Sequence, residues 1–281
     1  MGTGSSSEAL FDAVCAKDVR KASAALKKGA DVNVVSKEKI RIRFCGLALC
    51  RPSALQVACA DSSIELVNLL LEHQVNVNYQ QDESEWTALH YACCRSHLSI
   101  VENLLSLGCD IESKDKNGYT PFLVACRLGR LPAVQHLIQS KCNKAATTND
   151  GETALHVAGN VEVVDYLVSI GLNIEDRDEN GYTPFLDACH SGRLPVVERL
   201  IQLKCNKAAT TNGGETALHV AGNVEVVDYL LSIGLNIEDR DEGGETALHV
   251  AGNVEVVDYL VSIGLNIEDR DEVLLMAAQH F

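Results

Sequence analysis

The chain has 281 residues, 46% apolar and 5% aromatic, with a formal net charge of −15 and 11 cysteines. An acidic balance of this size disfavours nucleic acid as a partner, because phosphate binding needs concentrated Lys and Arg. No stretch approaches the roughly 18 apolar residues of a membrane span, the N-terminus lacks the apolar core of a secretory signal, and the sequence holds no Asn-x-Ser/Thr sequon, so the expected location is cytoplasmic, with the nucleus as the alternative.

Residues 1–6 are expected to form a flexible N-terminus. Met1-Gly2-Thr3-Gly4-Ser5-Ser6 also fits the M-G-x-x-x-S pattern for N-myristoylation at Gly2, although one acyl chain holds a membrane weakly and no basic cluster follows at once. Residues 7–34 predict two helices, with Leu10, Phe11 and Val14 on the first and Val19, Ala22, Ala25 and Leu26 on the second. Lys17, Lys21, Lys27 and Lys28 supply the polar outer face that the end of a stacked array needs. Residues 35–51 carry five basic and one acidic residue and interrupt this pattern. Alternation over Lys39-Ile40-Arg41-Ile42-Arg43-Phe44 predicts a strand, Cys45-Gly46 a turn, and Leu47 to Cys50 a returning strand, either as a projecting basic hairpin that meets a partner or as a tolerated loop insertion.

From residue 52 onward the chain repeats itself. Thirty residues from Gly151 to Asn180 return at Gly214 to Gly243 and again at Gly244 to Val273, and a fixed period of this length marks an array of small units, not a globule with one core. Within the unit, Thr153 to Ala158 predicts a short apolar helix and Gly159 its end. Asn160 is placed to cap a second helix whose Val163, Val164, Leu167 and Val168 share one buried face, with Gly171 at its left-handed terminus. The units are 52–84, 85–117, 118–150, 151–180, 181–213, 214–243 and 244–273, with a partial repeat or cap at 274–281.

TALH stands at Thr87, Thr153, Thr216 and Thr246, TPFL at Thr120 and Thr183, and a degenerate SALQ at Ser53, with spacings of 34, 33, 33, 30, 33 and 30. A turn, a T-P-L-H-x-A first helix, a second helix and an extended finger resemble the ankyrin repeat. That resemblance implies an all-α solenoid of about eight stacked helix-turn-helix units with short β-hairpin-like fingers. The thirty-residue units are three residues short of the family length, and alignment of Ala158-Gly159-Asn160-Val161 with Ala188 to Leu194 places the deletion at the end of the first helix, shortening it by nearly one turn.

Charge follows the repeat. Each thirty-residue unit carries seven acidic residues and one basic residue, with Glu-Asp-Arg-Asp-Glu on each finger, either as a solvated edge or as a docking strip for a basic partner. Cys59, Cys93, Cys126 and Cys189 share one repeat position and Cys109, Cys142 and Cys205 another, as small core residues do, and no cofactor or metal is expected. The histidines of TALH recur once per unit, which suits a structural hydrogen bond, so no enzyme is expected. After Glu272 the sequence Val273-Leu274-Leu275-Met276 lacks a charged outer face. A longer natural protein is the preferred expectation, with an improvised apolar cap or end-to-end association of an otherwise monomeric chain as alternatives.

These observations predict a non-enzymatic module that binds a protein partner on a concave face and finger row, as an adaptor or scaffold. Its rivals are a regulatory segment of a larger enzyme or channel and a structural spacer. By resemblance, the candidate contacts are Trp86, Arg95, Tyr119, Arg127, Tyr182 and His190 in the long units and Glu152, Glu215 and Glu245 in the short ones. Trp86, the only tryptophan, is the leading candidate, its alternative role being to pack against a neighbouring finger.

Overall fold

Thr87 shows how the repeated tetrapeptide starts a helix. Its backbone is extended and its N–H donates to His90 Nδ1 at 3.1 Å, so the histidine side chain reaches back over the first turn and satisfies a donor that the helix itself leaves unpaired. At Thr120 and Thr183 the threonine hydroxyl instead accepts from the N–H of Leu123 and Leu186, and a proline fills the first helical position, where its missing N–H costs nothing.

The computed structural model describes residues 3–36, 39–41, 48–80 and 83–264, which form two compact units, 1–149 and 150–281. In the first unit the helix pairs are α1 (Thr3–Cys15) with α2 (Val19–Lys27), α3 (Ala54–Ala60) with α4 (Ile64–Leu71), α5 (Ala88–Arg95) with α6 (Leu98–Ser106), and α7 (Pro121–Arg127) with α8 (Leu131–Gln139). In the second they are α9 (Ala154–Val157) with α10 (Val161–Ser169), α11 (Pro184–His190) with α12 (Leu194–Gln202), α13 (Ala217–Val220) with α14 (Val224–Ser232), and α15 (Ala247–Val250) with α16 (Val254–Ser262). Within each unit, first helices pack on first helices and second on second: α1, α3, α5 and α7 form one row, and α9, α11, α13 and α15 form another.

From α4 to α14 each second helix buries the same i, i+1, i+4 triplet: Leu66, Val67 and Leu70 in α4, Ile100, Val101 and Leu104 in α6, Val163, Val164 and Leu167 in α10. A fully buried side chain of this size contributes about 1.5–3 kcal/mol, and the triplets are spaced so that each helix meets its neighbours in the stack. Val168, expected on that face, is only half-buried, because the fifth position has already turned off the 3.6-residue stripe. The three α-helices of the short repeats, α9, α13 and α15, have four residues where α7 and α11 have seven, so the deletion does remove one turn.

Three further expectations meet the structure differently. Helix α1 already begins at Thr3, so residues 3–6 continue a helix where a flexible start was expected. Val19 is 36% exposed, because α2 turns Ala22, Ala25 and Leu26 inward instead. The fingers form no strands among the described residues; they close through single pairs such as Asp115 N–H to Tyr119 carbonyl at 2.9 Å. The only described strands are in the insertion, where β1 (Lys39–Arg41) pairs antiparallel with β2 (Ala48–Cys50) and Ile40 faces Leu49. Gly2, residues 42–47, and the tail at 274–281 lie outside the described residues.

Among the described side chains nine cysteines are free, Cys15 exposed and the other eight buried. Burial pushes the thiols of Cys109, Cys142 and Cys205 up to about 12, with neighbouring carboxylates adding to the effect. Burial and the charges of Asp12 and Asp61 raise the Cys15 thiol as well, so access decides the contrast: a maleimide at neutral pH is expected to label exposed Cys15 and spare those eight until urea unfolds the chain, as peptide mass mapping would show.

Candidate functional site

Trp86 stands just before the cap of α5, half-buried, and its indole Nε1 donates to Asp115 Oδ2 of the following finger at 2.9 Å. Its ring lies 5.8 Å from His90 and 5.0 Å from Tyr91. The packing role is therefore real, and Asp115 is fully committed to it: the other carboxylate oxygen accepts from the N–H groups of Asn117 and Tyr119 at 2.9 and 2.8 Å. What remains of the tryptophan face lines a cavity of about 510 Å³.

Three guanidinium groups line the same cavity, each held by a different device. Arg95 at the end of α5 donates through Nε to Ser62 Oγ at 3.2 Å. Arg127 at the end of α7 lies over the Tyr119 ring, 5.2 Å from its centroid, a cation–π distance. Arg130, in the turn between α7 and α8, donates through Nε to the Cys94 carbonyl at 2.9 Å. Lys116 adds a fourth cation, against the carboxylates of Glu83 and Asp115, while Val124 and Leu128 give the wall an apolar stretch.

Four expected contact residues, Trp86, Arg95, Tyr119 and Arg127, thus converge on one groove in residues 83–130. The other five stand in the second unit. Tyr182 is half-buried with its ring edge-on to exposed His190, centroids 5.9 Å apart. Burial first, then the charges of Glu215, Asp178 and Asp187, raise the Tyr182 phenol above its ordinary value. Glu215 accepts from Thr211 Oγ1 at 2.9 Å and so belongs to its finger turn. Exposed Glu245 lends its carbonyl to His219, and half-buried Glu152 occupies the place before Thr153 that Trp86 holds before Thr87.

Sequence reasoning missed Arg130 and Lys116 as groove residues; Val124 and Leu128 stand out in the sequence only as positions where the two long units differ, a difference that suits altered partner contacts or neutral drift. Arg130 carried a signal, being repeated 63 residues later as Arg193, but a turn residue between two helices offers no periodicity to read. The repeated acidic fingers also gained an unexpected role. Glu175 accepts from Asn206 N–H at 2.7 Å, Asp176 accepts from the Asn173 amide at 2.7 Å, and Asp178 accepts from Asn180 and Tyr182 N–H groups, while Arg177 donates to the carbonyls of Gly181 and Thr210. The motif builds the finger from its own charges. Among the described residues no group of three or more His, Cys, Asp or Glu is placed to hold a metal ion, and no helix is long and apolar enough to cross a membrane.

Stacked helix pairs joined by fingers define a repeat protein of the interaction class. A family model described as ankyrin repeats in three copies matches residues 10–115, 103–178, 159–241 and 188–271, and the chain belongs to the ankyrin repeat family. It is 32% identical over 153 residues to a transient receptor potential cation channel subfamily A member 1 homolog of Caenorhabditis elegans, covering 53% of this chain and 13% of that protein. It is 28% identical over 177 residues to palmitoyltransferase AKR1 of Lachancea kluyveri, covering 59% of this chain and 24% of that one. The crystal structure of the human ASB11 ankyrin repeat domain superposes with a TM-score of 0.60 at 25% identity, over 76% of this chain and 99% of that one. The chain spans less than a quarter of either full-length relative, and the part they share is the repeat array, a module that binds proteins and typically carries no catalysis.

Proposed function

We propose that this chain is a non-enzymatic adaptor or scaffold that receives a protein partner in the groove of its first unit. The observation that carries the reading is the convergence of Trp86, Tyr119 and three arginines on one cavity: Trp, Tyr and Arg are the residue types that dominate binding energy at interfaces when they sit in a formed pocket. Buried in-phase thiols suit a reducing compartment, and we place the module in the cytoplasm, with the nucleus as the alternative. The acidic fingers at 175–179 and 238–242 suit a basic partner as a separate surface.

The test is site-specific photocrosslinking in cells expressing the chain. A photoreactive residue at Leu128, 41% exposed in the groove, is expected to capture a defined protein that one at Leu107, 53% exposed outside it, does not. Arg127→Ala should abolish that capture. Equal capture at both positions, indifferent to Arg127, would refute the groove as the site. A second reading, a regulatory segment of a larger channel or enzyme, is favoured by the channel homolog and the palmitoyltransferase, each of which contains a similar stretch within a much longer chain.

A further inference from the structure

The 63-residue duplication places a second copy of the groove's wall in the same molecule. Long repeats 118–150 and 181–213 differ at eight of 33 positions, and three of these, Val124/Asp187, Arg127/His190 and Leu128/Ser191, change the groove wall. Just upstream, Lys116 becomes Glu179. Arg130 and Arg193 are the unchanged pair.

In the second copy Arg193 finds its carboxylate within the chain through Nη2, while its buried Nε has no hydrogen-bond partner among the described residues. Its Nη2 lies 2.7 Å from Asp187 Oδ2 and 2.7 Å from the His156 carbonyl, with only 19% and 17% of the two side chains exposed. In the first copy the position of Asp187 is Val124, 4% exposed, which offers no acceptor. Among the described residues neither Arg127 nor Arg130 forms an ion pair, and both guanidinium groups face the cavity with Lys116. A carboxylate is the partner whose two oxygens match the guanidinium fork. The two copies therefore show one arginine with its carboxylate supplied internally and its counterpart without one.

We infer that the groove of the first unit recognises an acidic segment of its protein partner, an Asp or Glu carboxylate entering between Arg127 and Arg130 in the role that Asp187 fills for Arg193, with a flanking apolar side chain against Trp86, Val124 and Leu128. The inference rests on the groove being the partner site. Charge complementarity selects this occupant: four cations against two carboxylates line the cavity, and one of those carboxylates, Asp115, is fully engaged by Trp86 and backbone N–H groups. The duplicate groove, with Glu179, Asp187 and Glu152 in place of Lys116, Val124 and Trp86, is closed to the same ligand by its own charge.

Fluorescence anisotropy with three labelled decapeptides, alternating Glu-Leu, Gln-Leu and Lys-Leu, tests this on the full chain. The Glu-Leu peptide is expected to bind about ten-fold or more tighter than Gln-Leu, to weaken with added salt, and to leave Lys-Leu unbound. Val124→Asp installs the internal carboxylate and is expected to lower Glu-Leu affinity about ten-fold or more without lowering the melting temperature, since the duplicate tolerates the same pair. Arg127→Ala, at an exposed position, gives the same loss independently of how Val124→Asp folds. Equal binding of Glu-Leu and Gln-Leu, still lost in Arg127→Ala, overturns the carboxylate and leaves the groove as the partner site. Glu-Leu binding that neither substitution changes overturns the groove itself, and failure of Glu-Leu to bind overturns the acidic ligand.

Discussion

Gly222→Ala is expected to destabilise the second unit by about 3 kcal/mol or more, whereas Gly252→Ala, in an identical local sequence, is expected to change stability by less than about 0.5 kcal/mol. A β-carbon at Gly222 would stand 2.1 Å from the His190 carbonyl oxygen, a backbone atom that cannot step aside, while one at Gly252 would meet nothing within 4 Å. The contact comes from the lock between a short unit and the long one before it. Gly222 N–H donates to the Cys189 carbonyl at 3.0 Å, and the Asn223 amide donates to the Gly192 carbonyl at 3.0 Å, drawing the Ala-Gly-Asn link under the end of α11. The unit of Gly252 packs instead on one whose first helix, α13, has only four residues; the Asn253 amide still donates to the Gly222 carbonyl at 3.1 Å, but no helix end stands over Gly252. Urea unfolding of the two variants beside the parent chain measures the contrast directly. Equal midpoints would show that the link moves aside and that its packing is not what holds the alternating units in register.

Substitution at His90 is expected to separate hydrogen bonding from titration. Thr87 N–H donates to Nδ1, so the ring proton sits on Nε2, which donates to the Tyr119 carbonyl at 3.0 Å. The ring is fully buried, and burial lowers its pKa from 6.5 to about 4 despite the Tyr119 carbonyl and the Asp115 and Asp110 charges, which favour the cation. The native state thus binds the proton less readily than the unfolded chain. Its contribution is fully present above pH 6.5 and drains away as pH falls to 4, about 3 kcal/mol in all. His90→Leu should cost about 3 kcal/mol at pH 7.5, since it strands a buried N–H and a buried carbonyl. His90→Gln should cost little, because the SALQ unit already uses that solution. Gln56 Oε1 accepts from Ser53 N–H at 3.0 Å, and Nε2 donates to the Trp86 carbonyl at 2.7 Å and to that of Tyr79 at 2.9 Å. Melting temperatures from pH 7.5 to 4 should fall less steeply for the glutamine variant. Parallel slopes would place the acid sensitivity elsewhere.

The architecture was largely legible because it is written several times. TALH and TPFL mark the first helices, the i, i+1, i+4 triplets mark the second, and the missing turn of the short units followed from a three-residue gap. The histidine bond was legible for the same reason: a role that recurs once per unit is structural. Local signals failed where a neighbour decides. Val19 and Val168 are apolar residues at helical spacing, yet the face each helix turns inward leaves one exposed and the other half-buried. The groove was half-read, since Trp86, Arg95, Tyr119 and Arg127 stand at recognisable repeat positions. Arg130 and Val124 acquire meaning only beside the Arg193–Asp187 pair, which spans six residues and a turn. No helical or strand period brings such residues together, so the pairing required coordinates.

The histidine bonds also give the array a direction. His90 reaches forward to Tyr119, His156 to Tyr182 and His219 to Glu245, as Gln56 reaches to Trp86, so α3, α5, α9 and α13 are each completed by the finger that comes after in the chain. Remove a predecessor and these donors keep their acceptors; remove a successor and a buried imidazole N–H is left facing solvent. Cooperativity in such a stack is asymmetric, and fraying costs least where no later finger closes the last ring. An array of this kind is best lengthened by adding units at its downstream end, because each addition finishes the unit already there.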